Sequence, residues 1–418
     1  MNLSRAGLAA ASLLGVVILV GCGTAAPKPA AVQPLPRVAA LDSAQAGTAA
    51  GADDALGLDL LNAASAQNQG NVALSPVSIA IAVQMVATGA DGGTAAQLAH
   101  VLHLPDVAAA GPAGQAATAS IAADDKPGSV TLHTANTVWT QQGKPLLPAF
   151  ISGLASHFGI AQHTADFTGD ADGARADINQ LVAAQTEGKI PELFPPGTIT
   201  SITRMVLTNA LYLAAAWQKP FQPNTTAPAA FTTANGASAQ VATMTGEVSA
   251  SYASRPGYQV ITLPYVGGKL GFSVLLPAPG SSTNALLSTL RGSGLASALT
   301  AAQPSEITLS MPKFTIKSSM DLAGVLAGLG MPTAFTAQAN FDRMSGEPLF
   351  IQHVEHDAYV QVDENGTVAA AATGVGMGAM AIAAPPSIQV QVNRPFLFAI
   401  TDLGTGLPLF LGRVTDPA

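Results

Sequence analysis

Apolar residues are frequent in this sequence, but only one run of them, Ala6 to Val20, approaches the length of a membrane span. Every later apolar stretch is interrupted by Gly, Pro or a polar residue, well short of the roughly 18 residues that a spanning helix needs. The mean hydropathy of +0.35 therefore does not indicate a polytopic membrane protein. Because 48% of the 418 residues are hydrophobic, the chain can instead bury a large globular core.

Charged residues are scarce and are not clustered. Asp, Glu, Lys and Arg make up only 10% of the chain, against roughly 25% in ordinary soluble domains. The net charge of -8 and the absence of a Lys/Arg cluster argue against a nucleic-acid partner. The single cysteine excludes internal disulfides and cysteine-based zinc sites. We expect a monomer without a cofactor.

The N-terminus is typical of an export signal. Arg5 supplies the positive charge, Ala6 to Val20 the apolar region, and Leu19-Val20-Gly21-Cys22 resembles the lipobox of bacterial lipoproteins. In such proteins the cysteine is acylated, and more than one acyl chain holds a protein stably on a membrane. We therefore predict a signal peptide over residues 1–21 and lipidation of Cys22. The chain would be displayed on the outer face of the bacterial cell membrane, with release as a second form. The alternative is a plain secretory signal with an incidental cysteine.

The rest of the chain divides into a tether and one domain. Residues 22–54 are rich in Ala, Pro and Gly with little periodicity, which predicts a flexible tether. Residues 55–418 carry helical patterns followed by many strand patterns, which predicts an α+β domain. Helices are predicted over 55–66, 77–87 (capped by Ser75-Pro76), 95–102, 148–158, 171–185 and 321–329. Strands are predicted over 135–139, 205–213, 261–265, 271–276, 306–316, 358–362, 388–392, 396–400 and 409–414.

Motifs for catalysis and metal binding are weak. The sequence has no Gly-x-Ser-x-Gly elbow, P-loop or His-Glu-x-x-His. The glycines of 374–378 lack the third glycine and the following helix of a dinucleotide-binding loop. The close histidine pairs are His100/His103 and His353/His356. Glu355 lies between the histidines of the second pair, and alternation along a strand points it away from His356. We therefore predict no metal site.

A charge-free stretch separates Glu364 from Arg394. Residues 365–384 contain no proline, so each keeps the N–H that a sheet ladder requires. Alternate residues of this stretch are small enough to be buried on one face of a strand. They are Thr367, Ala369, Ala371, Thr373 and Val375. Considered alone, the composition is as typical of a disordered Ala/Gly loop as of a strand.

Six motifs in register resemble those of the serpins over about residues 55–418. The first is Asn71 to Ile79 with Met85, Gly89-Ala90 and Thr94; the second is Ile178-Asn179 with Thr186 to Ile190; the third is Leu207 to Tyr212 with Trp217 and Pro220-Phe221. The others are Met311 to Phe314, Asn393 to Phe396 and Phe410 to Val414. The resemblance implies three β-sheets, eight to nine helices and an exposed reactive-centre loop, here about residues 364–387.

The charge-free stretch falls where that loop belongs, and its start is similar to the hinge of inhibitory serpins. The matching hinge residues are Glu364, Gly366, Thr367, Ala369, Ala370, Ala371 and Ala372. Val368 replaces the usual glutamate at a position that faces solvent after insertion, so we expect little effect. The resemblance also implies a polar shutter beneath sheet A, formed by Ser75, Ser78, Asn209 and His356, and a breach residue, Trp217.

In this family a serine protease attacks the loop and forms an acyl ester. The severed loop then inserts into sheet A and carries the protease across the molecule, deforming its active site. The resemblance thus implies a protease inhibitor and not an enzyme, since the catalytic groups belong to the target.

The reactive bond has two candidate positions. The usual spacing from Glu364 gives Met380-Ala381, whereas counting back from Pro395-Phe396 gives Ala384. A Met or Ala side chain suits an elastase-like or chymotrypsin-like pocket and is poor for a trypsin-like one. Cysteine proteases of the cathepsin type stay open as targets.

Two other functions are compatible with an exported chain of this kind. One is a binding lipoprotein on the same fold that does not inhibit proteases. The other is a lipoprotein enzyme such as a hydrolase, although no nucleophile constellation is visible.

Replacing the lipidated cysteine tests the predicted anchor. We expect Cys22→Ala to release the protein into the medium, because no acyl chain can then be attached. Immunoblotting of membrane and medium fractions measures this. A variant that stays in the membrane fraction would contradict lipidation at Cys22.

Overall fold

A computed structural model describes residues 43–125, 130–144, 146–160, 162–367 and 388–418. The predicted signal peptide and Cys22 lie outside these ranges. So do Val368, hinge residues Ala369 to Ala372, and the candidate reactive-bond residues Met380, Ala381 and Ala384.

Nine α-helices form within the described ranges. They are α1 (Ser43–Gln67), α2 (Pro76–Ala87), α3 (Gly92–Val101), α4 (Ala110–Asp124), α5 (Pro148–Phe158), α6 (Ala171–Gln185), α7 (Thr283–Ser293), α8 (Leu295–Thr300) and α9 (Ala323–Leu329). None of these helices is long and apolar enough to cross a membrane.

Fifteen strands accompany these helices in the same part of the chain. They are β1 (Val72–Leu74), β2 (Val130–Gln141), β3 (Gln162–Ala165), β4 (Met205–Ala216), β5 (Ala227–Thr232), β6 (Ser238–Arg255), β7 (Tyr258–Pro264), β8 (Leu270–Pro277), β9 (Gln303–Pro312), β10 (Phe314–Asp321), β11 (Glu355–Val362), β12 (Gly366–Thr367), β13 (Ile388–Gln391), β14 (Phe396–Asp402) and β15 (Pro408–Val414).

The strands confirm the predicted α+β architecture with three sheets. Sheet A has the order β10-β11-β12-β4-β2-β3. The other nine strands form one hydrogen-bonded path that divides at the 18-residue strand β6. The first part of β6 pairs with β5, and its end pairs with β7. Sheet B therefore contains the end of β6 with β7, β8, β14, β15 and β1, and sheet C contains β5, the rest of β6, β9 and β13.

Helix α2 joins sheets A and B, because it contacts both β4 and β15. Its start is as predicted: Ser75 precedes Pro76, and the Ser75 hydroxyl accepts from the N–H of Ser78 at 3.3 Å. Eleven of its residues are buried, which agrees with the apolar pattern all round the helix.

The predicted tether over 22–54 is wrong at its C-terminal end. Helix α1 begins at Ser43, not at residue 55, and Ala49, Ala50 and Ala52 are buried. An Ala-rich segment has little amphipathic pattern, yet alanine is the strongest helix former and packs closely. The same reason explains helix α4, which sequence patterning missed and which packs Gly114 against the ring of Phe158.

The strand predicted over 306–316 is two strands in different sheets. The ladder of β9 with β6 in sheet C ends at Pro312, and β10 begins sheet A at Phe314. Between them, the N–H of Lys313 donates to Ala242 at 2.9 Å. The apolar residues shift from odd positions (Ile307 to Met311) to even ones (Phe314, Ile316) across Pro312-Lys313, and a single strand over 306–316 ignores this change of phase.

Helix α6 covers sheet A and is fixed by one asparagine. Ile178 and Val182 pack with Trp139 of β2 and Val206 of β4. Asn179, buried at the same helix, accepts from the N–H groups of Leu193 and Phe194 at 3.0 and 2.9 Å. This contact holds the chain that returns from α6 towards β4.

Removing that side chain tests its structural weight. Asn179→Ala leaves the two N–H groups of Leu193 and Phe194 without their acceptor, so we expect the free energy of unfolding to fall by about 3 kcal/mol. Guanidinium unfolding measures the loss. Gln180→Ala, at the exposed neighbour, serves as control and should change it by less than about 0.5 kcal/mol. Equal free energies of unfolding for Asn179→Ala and Gln180→Ala would contradict a stabilising role of the Asn179 side chain.

Candidate functional site: the hinge at the end of sheet A

Two hinge residues already form a strand inside sheet A. Gly366 and Thr367 (β12) lie between β11 and β4, with Thr367 opposite Val362 on one side and Ala215 on the other. Both pairings are antiparallel. Among the described residues, no β-bridge joins β11 directly to β4, so β12 provides the link between the two halves of the sheet.

The Thr367 side chain is buried under the sheet. It is 1% exposed, and its hydroxyl shares a hydrogen bond with the hydroxyl of Tyr265, which is also fully buried. The Tyr265 ring stacks on Trp217 with a centroid distance of 4.8 Å and an interplanar angle of 5°. Burial raises the pKa of Tyr265, so the phenol is neutral and free to donate. Sequence reasoning missed Tyr265. The available signal was a tyrosine at the end of an apolar strand, because a tyrosine hydroxyl needs a hydrogen-bond partner when it is buried.

Gly366 is required by the closeness of strand β4. A Cβ on this residue would lie 2.1 Å from the carbonyl oxygen of Ala215. Since that atom belongs to the backbone of a central strand, it cannot move away without distorting the sheet. A side chain at position 366 is therefore incompatible with the observed entry of the hinge.

Trp217 holds the turn that leads into β12. Its indole N–H donates to the carbonyl of Asp363 and its backbone N–H to that of Asn365, both at 2.8 Å. The N–H of Phe221 donates to the carbonyl of Glu364 at 2.9 Å. Three carbonyls in succession are thus fixed by the segment that follows β4.

The Glu364 carboxylate anchors the same turn. It accepts from the hydroxyl of Thr226 at 2.7 Å and pairs with the Lys313 ammonium at 2.7 Å. Burial alone would raise the pKa of Glu364, but the hydrogen bonds from Lys313 and Thr226 outweigh it and lower the pKa. Sequence reasoning did not identify Thr226 or assign Lys313 as the partner of Glu364, because both lie far from the hinge along the chain.

The predicted shutter residues Ser75 and His356 are in contact. The N–H of Ser75 donates to Nε2 of His356 at 3.0 Å, which connects the start of α2 to strand β11. Burial lowers the pKa of His356 to about 4, so the imidazole is neutral and can accept this bond. Ser78 is buried in the first turn of the same helix. Asn209 lies in β4 opposite Asn136, and its side chain is outside the described part of the structure.

Two tyrosines flank the line along which β12 would be extended. Tyr212 is on β4 and Tyr359 is on β11. The turn after α6 contacts both of them: Glu187 bonds to Tyr212, and the Lys189 ammonium lies 5.7 Å from the ring centre of Tyr359. Burial, followed by the charge of Glu187, raises the pKa of Tyr212 to about 12.

The histidine pairs considered from sequence do not act as pairs. His103 contacts Asp59 at 3.0 Å, and Nε2 of His356 accepts from the N–H of Ser75. His353 instead lies with Asp321 and Glu355, a group whose donor atoms are all within 4.8 Å of one another. Glu355 points away from His356, as expected, but it lies on the same side as His353.

The neutral state of His356 predicts a pH dependence of stability. Between pH 6.5 and 4 the unfolded chain binds a proton at this histidine and the folded chain does not, so stability falls as pH decreases through that window. Relative to His356→Gln, we expect the wild-type free energy of unfolding to drop by about 3 kcal/mol from pH 7 to pH 4. The opposite effect of Glu355, whose pKa is raised to about 7, is present in both proteins and cancels. If the free energies of unfolding of the wild type and of His356→Gln change equally with pH, a buried neutral His356 is contradicted.

Comparison with known proteins identifies this architecture. The model of the serpin (serine protease inhibitor) family matches residues 51–417. The chain is 33% identical to the mouse leukocyte elastase inhibitor A over 358 residues, which covers 83% of this chain and 93% of that protein. It is 31% identical to serpin B6 of Macaca fascicularis, with 88% and 98% covered. The crystal structure of the thermophilic serpin tengpin in its native state superposes with a TM-score of 0.79 at 26% identity, covering 91% of this chain and 96% of that one. With the family model matching most of the chain and the hinge entering sheet A between β11 and β4, this chain belongs to the serpin family.

Proposed function

We propose that this serpin inhibits serine proteases by the suicide mechanism. The observation that carries the proposal is the position of β12: Gly366 and Thr367 start a new central strand of sheet A, pointing into the space between β11 and β4. A protease that cleaves the loop beyond the hinge frees the segment after Thr367. That segment can then continue the strand that β12 begins.

Extending the observed register gives each following residue a partner. Thr367 pairs with Ala215, so Ala369 would pair with Leu213 and Ala371 with Leu211. Since side chains alternate along a strand, the small residues at 369, 371, 373 and 375 would share the buried face of Thr367. Ala370 would pass between Tyr212 and Tyr359 on the other face, where a methyl group fits between two rings. The composition of the loop suits both faces.

Insertion would be driven by main-chain pairing. Strand β4 runs to Met205, which leaves roughly ten further positions at which an inserted residue can form ladder bonds, each contributing about 1 kcal/mol. The acyl-linked protease would be moved along sheet A while these bonds form. Stable trapping requires that insertion outpace hydrolysis of the ester.

The proposed targets are proteases with small or apolar primary pockets. Met380 or Ala384 at the reactive bond would suit an elastase-like or chymotrypsin-like enzyme. Two features support this: the relatives of this chain include inhibitors named for leukocyte elastase, and the loop contains no Lys or Arg for a trypsin-like pocket. Cathepsin-like cysteine proteases form a further class to be assayed.

We also propose that the inhibitor acts outside the cell that makes it. The signal over 1–21 and the lipobox cysteine Cys22 support export and anchoring to the outer face of a bacterial membrane. Residues up to Ser43, where α1 begins, would then form the tether. A tethered inhibitor would meet proteases that approach the cell surface.

A substitution at Thr367 tests the mechanism. The Cys22→Ala chain is mixed with elastase and run on a denaturing gel, where we expect a band near the summed masses of both proteins. Thr367→Arg places a charge on the buried face, so we expect the covalent band to be lost and the variant to be cleaved as a substrate. Asn365→Arg is the matched control, since position 365 is exposed and an arginine there should leave trapping intact.

The outcomes separate the competing functions. Trapping by Thr367→Arg at the wild-type level would contradict insertion at this register. Cleavage of the wild type without a covalent band would support a non-inhibitory binding serpin. Mass spectrometry of the released C-terminal peptide distinguishes a peptide that starts at Ala381 from one that starts after Ala384.

A further inference from the structure

We propose that Asp321, His353 and Glu355 form a binding site for a divalent transition-metal cation of the Zn²⁺ type. The site lies at the end of the β10–β11 pair, where Asp321 of β10 is directly opposite Glu355 of β11. It is separate from the hinge, and the proposal does not depend on protease inhibition.

The backbone brings the three side chains to one side of the strand pair. Directly opposed residues of antiparallel strands hold their Cβ atoms about 5 Å apart, so the carboxyl groups of Asp321 and Glu355 are neighbours. His353 is two residues before Glu355, just outside β11, and its ring nitrogen lies within 4.8 Å of oxygens of both carboxyl groups. His356, which lies on the other side, is occupied by Ser75 and is no part of the site.

The donor atoms are close enough for a single ion. One nitrogen or oxygen from each residue lies within 4.8 Å of the others. Donors around a tetrahedral ion at roughly 2.1 Å are separated by about 3.4 Å. Asp321 and His353 are exposed and Glu355 is half-buried, so small side-chain rotations can close the difference. The exposed side of the site leaves room for a water ligand.

The group carries unbalanced negative charge. Within the described ranges, no Lys or Arg forms an ion pair with Asp321, Glu355 or the nearby Asp357, and no hydrogen bond reaches the Glu355 carboxylate. Asp357 also buries its Oδ1 without a hydrogen-bond partner. A bound cation would offset this negative charge.

One ligand is already oriented. Oδ1 of Asp321 accepts from the N–H of Ala323 at 2.9 Å, at the start of α9. This bond fixes the carboxylate and leaves its second oxygen available to an ion. Such an outer contact is what positions metal-binding carboxylates in general.

The donor set selects the class of metal. An imidazole with two carboxylates suits Zn²⁺, Co²⁺ and related ions, whereas Ca²⁺ and Mg²⁺ prefer six or more oxygen donors or retained water. Three protein ligands are fewer than in most structural zinc sites, so the affinity should be moderate. Micromolar binding with one open position is the expected behaviour.

Calorimetry and cobalt absorption test the site. The full-length Cys22→Ala chain without an affinity tag is titrated with ZnCl₂ at pH 7.4, and we expect one equivalent to bind. Loss of a metal ligand lowers the metal affinity at least as much as loss of a residue that hydrogen-bonds to a ligand. His353→Ala and Glu355→Gln should therefore each weaken Zn²⁺ binding by roughly 100-fold. Co²⁺ should give visible d–d bands that both variants lose.

A matched control separates the site from any exposed histidine beside a carboxylate. His103 contacts Asp59 at 3.0 Å, so His103→Ala removes a similar pair and should leave binding unchanged. The thermal midpoint of each variant without metal confirms that the variant is folded. Addition of Zn²⁺ should then raise the thermal midpoint only of proteins whose site is intact. Absence of Zn²⁺ binding, equal binding by His353→Ala, or loss of binding in His103→Ala would each overturn the proposal. Ca²⁺ binding that survives His353→Ala would do so as well.

Discussion

The entry of Gly366 and Thr367 between β11 and β4 is the contact on which the rest of the molecule depends. The described residues form no ladder between these two strands, so the continuity of sheet A passes through β12. The Trp217–Tyr265 stack lies under this point, and the Thr367 hydroxyl completes it. A buried hydroxyl pair of this kind is stable only while both partners stay in place, because either group left alone would lack a hydrogen bond.

Two groups of polar contacts hold the ends of strand β11 in this serpin. Glu364 with Lys313 and Thr226 anchors one end of β11, and His356 with Ser75 anchors the other. Ser75 and His356 are buried, whereas the Lys313 side chain that pairs with Glu364 is 38% exposed. Hydrogen bonds that depend on distance and angle can be exchanged for new ones as strands move, whereas interdigitated apolar packing resists small displacements. The arrangement would suit the insertion of another strand that we propose.

Sequence reasoning found most helices and strands and most of the site, and its errors have physical causes. Alanine-rich α1 and α4 carry little hydrophobic periodicity, so one was assigned in part to the tether and the other was missed. The change of sheet at Lys313 appears in the sequence only as a shift in the phase of the alternation, from Met311 to Phe314, which was read as one continuous strand. The grouping of Asp321 with His353 was hidden because they are separated by the whole of α9 and the following loop.

The sequence by itself determined the α+β class, because strand alternation and helix caps are local properties, and its six motifs identified the serpin family and predicted the hinge. Its motifs also singled out His356, Ser75 and Trp217 without any coordinates. Only the tertiary structure decided that Thr367 is already buried against Tyr265, and that Lys313 and Thr226 hold Glu364. The contacts of Thr367 with Tyr265 and of Glu364 with Thr226 join residues more than a hundred positions apart, and that of Glu364 with Lys313 residues more than fifty apart. No periodic pattern encodes which distant strands become neighbours.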